Sequence, residues 1–185
     1  MRAKHFKRVK GSVKKGVLSI LYEYVEAFLL AMILLVVLFT FCFRVAGVVG
    51  TSMEPTLSNG DRLILKAHFY EPSYGDIVVV NRYTDEPLIK RVIAVEGDTL
   101  RIDAETGAVY RDGVMLNETY IKGVTLLKDM TGEVTVPQGY VFLMGDNRSV
   151  SKDSRNEEIG MIRVEDIIGC AVLRVWPFSS FGILM

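Results

Sequence analysis

The chain has 185 residues, of which half are hydrophobic, and its formal net charge is zero. This length allows one membrane anchor and one domain of modest size. Residues 1–15 carry seven basic side chains and no acidic one, whereas the chain beyond Phe43 is mildly acidic. A mildly acidic domain lacks the basic patch of a nucleic-acid-binding protein, so we expect no nucleic acid among the partners.

The first predicted element is an apolar helix over residues 20–43, whose part from residue 27 onward carries no charge. At roughly 1.5 Å per residue it exceeds the ~30 Å hydrocarbon core of a bilayer, which predicts a transmembrane anchor. The basic charges before the span place residues 1–19 in the cytoplasm as a tail and residues 44–185 outside as one domain. The expected location is therefore the plasma membrane, crossed once.

A cleaved signal peptide is the alternative interpretation of this N-terminus, because a basic region and an apolar core are both present. The apolar region is too long for a signal peptide, however, and Arg44 follows it at once. No clean small-x-small cleavage site lies near Phe43. These features favour a retained anchor.

The outer domain is predicted to be mainly β. Short runs rich in β-branched residues alternate with turn residues, as at 62–66, 76–81, 88–95 and 140–144, and no long amphipathic helix follows the anchor. Residues 117–133 show no such pattern, and we interpret them as a surface loop. The expected fold class is an antiparallel β-sheet domain behind a single N-terminal transmembrane helix.

Ser52 is the first candidate for catalysis. It lies among small residues shortly after the anchor, and Pro55 prevents a helix from running smoothly through it. A hydroxyl exposed in such a turn becomes a good nucleophile only when a base takes its proton. Neither histidine suits that role, because His5 lies in the tail across the apolar run and His68 has no orienting carboxylate close by.

Lys90 is the better candidate for the base. It lies in a β-branched run, so its side chain shares one face of a strand with three apolar residues, Leu88, Val92 and Ala94. A lysine buried there has its charged form disfavoured and its pKa lowered toward the working range of a base. Arg91 points the opposite way and stays charged, so it cannot be the base. The alternative is a strand lysine that extends to water.

A third block of polar residues covers 145–155 and reads Gly-Asp-Asn-Arg-Ser-Val-Ser-Lys-Asp-Ser-Arg. Gly-Asp-Asn followed by serines is ordinary turn chemistry. An unbroken block of this length, with paired charges, exceeds what a turn needs. It indicates a structured loop that supports a site.

The three blocks together resemble the bacterial type I signal peptidases (leader peptidases), in particular the Gram-positive-like branch of this Ser–Lys serine protease family. The matching motifs are Ser-Met-x-Pro-Thr at 52–56, Lys-Arg followed by an apolar stretch and Gly-Asp at 90–98, and the polar block at 145–155. The resemblance continues to Trp176 and covers nearly the whole chain. It implies a membrane-bound serine endopeptidase that removes signal peptides from secreted preproteins, on a β-fold shared with self-cleaving repressors.

The resemblance also implies a role for each matching residue. Ser52 attacks the scissile carbonyl and forms an acyl-enzyme, and Lys90 removes the proton of Ser52. Ser151 hydrogen-bonds and orients Lys90, while Asp153 and Arg155 form a supporting ion pair. The remaining matching residues, which build the loop that holds these groups, are Asp146, Asn147 and Arg148.

The oxyanion hole is expected to use the backbone N–H of Ser52. Some members of the family add a hydroxyl from a serine two residues earlier, but this chain has Gly50 there, which is common in the Gram-positive-like branch. A further departure is Ser149-Val150, in place of the acid and amide that are frequent in the family.

Secretory preproteins are the expected partners, bound by β-strand addition and cut after Ala-x-Ala because the family's pockets admit only small side chains. Met53, Val78 and Val80 are the predicted pocket-lining residues. Met53 and the apolar C-terminal residues, among them Phe178 and Phe181, either belong to the core or contact the lipid bilayer, and both alternatives stay open. We expect no metal ion and no cofactor, because no paired Cys/His spacing suggests one. The sequence predicts no particular oligomeric state.

Three alternatives stay open at this point. A self-cleaving repressor uses the same dyad, but would carry a DNA-binding domain where this chain has its apolar span. A sortase would use Cys170 as its nucleophile, but that cysteine lies within an apolar strand and no histidine is placed to activate it. An anchored domain that only binds a partner would keep its function after Ser52→Ala.

Overall fold

The computed structural model describes residues 16–67, 70–81 and 87–184, except for the side chains of residues 38–42. The basic tail over 1–15 and His68 lie outside the described residues. The chain divides into two compact units, the first ending at Phe39 and the second comprising residues 40–185.

The described residues contain one long helix, and most of it belongs to the first unit. This helix, α1, covers Val17–Cys42 and therefore begins earlier than the predicted anchor at residue 20. Its segment Val17–Val37 has a mean hydropathy of 2.2, and its side chains are not buried within the protein. By length and composition, this helix is able to cross a membrane.

The second unit is built from short strands, as the sequence pattern predicts. In chain order they are β1 (Phe43–Gly47), β2 (Arg62–Lys66), β3 (Ile77–Val80), β4 (Leu88–Val95), β5 (Thr99–Ile102), β6 (Val109–Arg111), β7 (Val114–Met115), β8 (Val134–Thr135), β9 (Tyr140–Met144), β10 (Ile162–Arg163), β11 (Ile167–Trp176) and β12 (Gly182–Ile183). Two 3-10 turns flank β11, at Val164–Asp166 and Phe178–Ser180.

The strands form two antiparallel sheets. The larger one has the order β1-β2-β11-β3-β4-β9-β10, and β12 pairs with β11 beside this path. The smaller one has the order β7-β6-β5-β8 and is an excursion of the chain between β4 and β9. The prediction of a mainly antiparallel β-domain behind one apolar helix is confirmed.

Strand β3 lies in the interior of the larger sheet, between β11 and β4, and all of its residues are buried. Val78 and Val80 pack into one hydrophobic cluster, whereas Val79 packs into another that also contains Met53 and Leu57. Because side chains alternate between the two faces of a strand, β3 contributes to the core on both sides of the sheet.

Strand β4 contains a bulge that the sequence pattern did not reveal. Val92 pairs with Leu143 and Ala94 pairs with Phe142, so Ile93 is the additional residue. Beyond the bulge the alternation of side chains is reset, and Ala94 packs in a different cluster from Val92. The predicted apolar face beside the candidate base therefore ends at Val92, and its extension to Ala94 is wrong.

Candidate active site

Ser52 lies in a turn between β1 and β2 that is fixed at both ends. Gly50 enters the turn with φ of 86°, a left-handed conformation that glycine adopts easily, and its N–H donates to Asn59 Oδ1 at 3.0 Å. On the other side, the side chains of Met53 and Leu57 are buried in the core. The buried neighbours hold the turn against the sheet and leave Ser52 half-buried.

Lys90 extends from β4 to the hydroxyl of this serine. Its Nζ lies 2.8 Å from Ser52 Oγ and also donates to the backbone carbonyl of Ile89 at 3.0 Å. The lysine is only 4% exposed. The pKa of Lys90 is lowered to about 8, chiefly by burial; Asp153 and Asp146 oppose this shift, whereas Lys128 contributes to it. The side chain does not extend to water, so this alternative is excluded.

The polar loop, residues 145–156, passes directly beside the turn that contains Ser52. The N–H of Asn147 donates to the carbonyl of Ser52 at 3.0 Å, and Asn147 Nδ2 donates to the carbonyl of Thr51 at 3.2 Å. Gly145 allows this close approach, because a Cβ there would lie 2.5 Å from the Ser52 carbonyl oxygen. The same Cβ would lie 2.2 Å from Ser151 Oγ. The requirement for a glycine at this place follows from packing that the sequence did not predict.

Ser151 is buried beside the dyad, but it does not make the expected hydrogen bond to Lys90. Its Oγ has no partner in hydrogen-bonding geometry among the described residues, although it lies near enough to Asp153 to lower that carboxyl's pKa. Lys90 bonds to Ser52 and to the Ile89 carbonyl instead. The predicted orienting bond is thus absent from this arrangement.

Asp153 and Arg155 form the ion pair that the resemblance implies. Arg155 Nε and Nη2 donate to the two carboxylate oxygens, each at 2.8 Å, and both side chains are inaccessible to solvent. The N–H of Gly145 adds a third bond to Asp153 at 3.0 Å. Burial raises the pKa of this carboxyl, but Arg155 and the hydrogen bonds outweigh it, so the pKa is lowered and Asp153 stays charged.

A second buried ion pair joins β4 to the polar loop, and sequence reasoning missed it. Arg91 Nε and Nη2 donate to the carboxylate of Asp146 at 2.8 and 2.6 Å. Thr56, which follows Ser52 in the segment between β1 and β2, donates its hydroxyl to the same carboxylate at 2.5 Å. The Arg91 guanidinium also stacks 4.1 Å from the centre of the Tyr120 ring. The sequence features that could have predicted this pair are an arginine next to the candidate base and an aspartate in the polar block.

The segment over 117–133, expected to be a surface loop, contacts the polar loop along much of its length. Arg148 is buried and donates to the Glu118 carboxylate and to Thr125 Oγ1, each at 2.8 Å. Lys122 pairs through its backbone with the polar loop, donating to the Asp146 carbonyl and accepting from the Arg148 N–H, each at 2.8 Å. The segment lies at the surface, as predicted, since Thr125 is its only buried residue, but it also braces the polar loop.

A cavity of about 230 Å³ opens beside the dyad. Its walls come from two stretches of chain: residues 48–53, between β1 and β2, and residues 87–90, at the start of β4. Met53 borders it as predicted. Val78 and Val80 do not; both pack in the buried cluster that contains Val92 and Leu143. Val79, the residue between them, borders an adjoining cavity instead.

Cys170 does not have the properties of a catalytic thiol. It is 7% exposed in β11, and burial raises its pKa to about 11. A nucleophilic cysteine needs a lowered pKa, so the sortase alternative is not supported. Among the described residues, no group of three or more histidine, cysteine, aspartate and glutamate side chains is arranged to hold a metal ion.

We predict that Gly145→Ala strongly reduces peptidase activity, because the new methyl group displaces Ser151, Ser52 or both. A displacement near 1 Å at a catalytic group costs on the order of 10²-fold in rate. The measurement is kcat/KM of the detergent-solubilised chain. The matched control is Gly182→Ala, where a Cβ meets nothing within 4 Å. Equal activity of the two variants would contradict the close packing.

The chain shows clear similarity to known proteins. The family model described as signal peptidase, peptidase S26, matches residues 21–176. The probable signal peptidase I-1 of Synechocystis is 37% identical over 86% of this chain and 85% of its own length. The signal peptidase I of Bacillus licheniformis is 36% identical over 86% and 91%, and the signal peptidase I T of Bacillus subtilis is 35% identical over 85% and 86%.

A crystal structure of a signal peptidase I from Enterococcus faecalis is 26% identical and covers 55% of this chain and 97% of that chain, with a TM-score of 0.44. The family match alone extends from within α1 to the end of β11, and so includes the dyad and the polar loop. The chain therefore belongs to the signal peptidase family, peptidase S26.

Proposed function

We propose that this serine peptidase, which removes signal peptides from preproteins as a member of its family, does so with a Ser52–Lys90 dyad. The carrying observation is the 2.8 Å distance between Lys90 Nζ and Ser52 Oγ at the edge of an open cavity. A nucleophile in hydrogen-bond contact with a base of lowered pKa is the arrangement that covalent catalysis requires.

The reaction follows in two halves. Neutral Lys90 accepts the proton of Ser52 Oγ as this oxygen bonds to the scissile carbonyl carbon, and the ammonium then gives the proton to the leaving amine. The C–N bond breaks and leaves an acyl-enzyme on Ser52. Lys90, neutral again, takes a proton from water, whose oxygen attacks the ester and releases the acid while the proton returns to Ser52.

The developing oxyanion is stabilised by the backbone N–H of Ser52. Gly50 brings no hydroxyl to this place, and its own N–H is already bonded to Asn59. The polar loop has a positioning role: Asp153 and Arg155 fix one end of it, and Asp146, with Asn147 and Arg148, fixes the other. Ser151 fills the space between Gly145 and the dyad.

The substrate binds as an extended strand along the cavity. Two features support this: β1 is an edge strand of the larger sheet, and the walls of the cavity are backbone stretches that continue from β1 and into β4. The small volume and the buried side chains of Met53 and Ile89 favour small residues at the cut, hence Ala-x-Ala. Val78 and Val80 take no part.

The peptidase domain acts at the outer surface of the plasma membrane. Helix α1 is long and apolar enough to span the bilayer, and the basic charges of residues 1–15 favour a cytoplasmic N-terminus. Trp176, Phe178 and Phe181 are exposed at the end of the chain, which suits contact with lipid. The proposed anchor therefore lies within α1 (Val17–Cys42), and the proposed peptidase domain begins with β1 at Phe43.

Replacing either member of the dyad is expected to abolish cleavage of a purified preprotein. Ser52→Ala removes the nucleophile, and Lys90→Ala removes the base that activates it, so each should lower kcat by about 10³-fold or more. The control is Lys66→Ala, an exposed lysine in β2. Residual cleavage by Ser52→Ala near the wild-type rate would show that another group is the nucleophile.

The rate of cleavage is expected to rise with pH through a midpoint near 8. The active form of Lys90 is neutral, and its pKa is lowered to about 8, so the neutral fraction grows as pH rises toward and past that value. Below the midpoint, kcat/KM should fall about tenfold for each pH unit. The measurement is a pH profile between 6 and 10 of the solubilised chain. A flat profile would contradict the role of Lys90.

A further inference from the structure

Lys128 reaches the polar loop from the segment between β7 and β8. Its half-buried ammonium donates to the backbone carbonyl of Ser151 and to Asn156 Oδ1, the latter at 3.1 Å. Ser151 in turn packs against Gly145, which touches the carbonyl of Ser52. One lysine outside the matching motifs is thus bonded to the residue that packs beside the dyad.

The backbone conformation of Lys128 indicates that this contact has a functional role. Its φ is 55°, a left-handed conformation that is uncommon for residues other than glycine, asparagine and aspartate. Strained conformations of this kind persist where the surrounding structure holds them, and they cluster at functional sites. Here the two hydrogen bonds of the ammonium hold the residue in place.

Lys128 also adds to the charges that face Lys90. Those charges are Asp153, Asp146 and Lys128 itself. Each carboxylate is already bonded by both arms of an arginine, Asp153 by Arg155 and Asp146 by its partner in β4. The ammonium of Lys128 has no bidentate partner of this kind among the described residues, and a nearby positive charge disfavours a proton on Lys90.

Besides Lys90, three charged groups in turn face Lys128. Partial burial lowers the pKa of Lys128; Asp153 and Asp129 favour its charged form, and Arg155 disfavours it. Its two acceptors, a carbonyl and an amide oxygen, both take hydrogen bonds that an ammonium can supply.

We propose that Lys128 is a positioning residue for the general base: it holds the Ser151 backbone in place and supplies a positive charge that keeps Lys90 ready to accept the Ser52 proton. The inference rests on the proposed Ser52–Lys90 mechanism and adds a second lysine to it. Lys128 touches neither reacting atom, so its effect is on the protonation and placement of Lys90.

The experiment compares pH profiles of kcat and KM for four variants of the full-length chain in detergent. Lys128→Gln removes the charge and keeps a donor. Lys128→Asn also removes the charge, with a residue that tolerates the left-handed backbone. Lys128→Arg keeps the charge. Lys152→Gln removes the charge of an exposed lysine on the polar loop, which forms an exposed ion pair with Glu158.

The midpoint of the rising limb of kcat is expected to move up by about half a pH unit or more in Lys128→Gln and Lys128→Asn. At pH 7 this corresponds to a loss of roughly threefold or more, which is recovered at pH 10, with little change in KM. Lys128→Arg and Lys152→Gln should keep the wild-type midpoint.

Two results would overturn the proposal, and they differ from failure of the dyad itself. One is a uniform loss of rate in Lys128→Gln and Lys128→Asn with the wild-type midpoint, which would show a purely structural role. The other is an equal shift in Lys152→Gln, which would show a general effect of charge. If Lys90→Ala remained active or the wild type lacked a rising limb, the proposed dyad would fail first, and Lys128 with it.

Discussion

The arrangement of the site depends on the burial of one amino group, that of Lys90. A charged amine away from water is disfavoured, and this cost disappears when the amine gives up its proton. The sheet imposes this burial, and the pKa falls to about 8 as a result. Ser52 Oγ lies 2.8 Å away, so the group that benefits from being neutral is also the one placed to receive the serine proton. The proposed base thus depends on its location rather than on a histidine and its carboxylate.

Two buried arginine–aspartate pairs make this location compatible with catalysis. A free carboxylate next to Lys90 would hold its proton, and both Asp146 and Asp153 raise its pKa. Each of them, however, is bonded by a guanidinium through two hydrogen bonds, Asp146 by Arg91 and Asp153 by Arg155. The same pairs tie the polar loop to β4 and to itself. The two arginine–aspartate pairs therefore both order the polar loop and weaken the effect of the two carboxylates on Lys90.

The sequence predicted the features that depend on neighbouring residues. Features that depend on contacts between distant parts of the chain could not be predicted from it. The turn around Ser52 and the buried strand around Lys90 were readable from neighbouring residues alone. The sequence also identified the strand β3, but it could not tell which of its side chains border the cavity. Val78 and Val80 pack in a buried cluster, whereas Val79 borders a cavity. The brace over 117–133 was unreadable because its role comes from contacts with a loop distant in sequence.

The most direct test is a titration of the Lys90 side chain itself, independent of turnover. Lysine labelled with ¹³C at Cε would be followed by NMR in the solubilised Ser52→Ala chain, with Lys90→Arg to assign the signal. A midpoint near 8 is predicted, well below the 10.5 of an ordinary lysine. A midpoint near 10.5 would mean that the amine is charged at working pH, and Lys90 could not be the base.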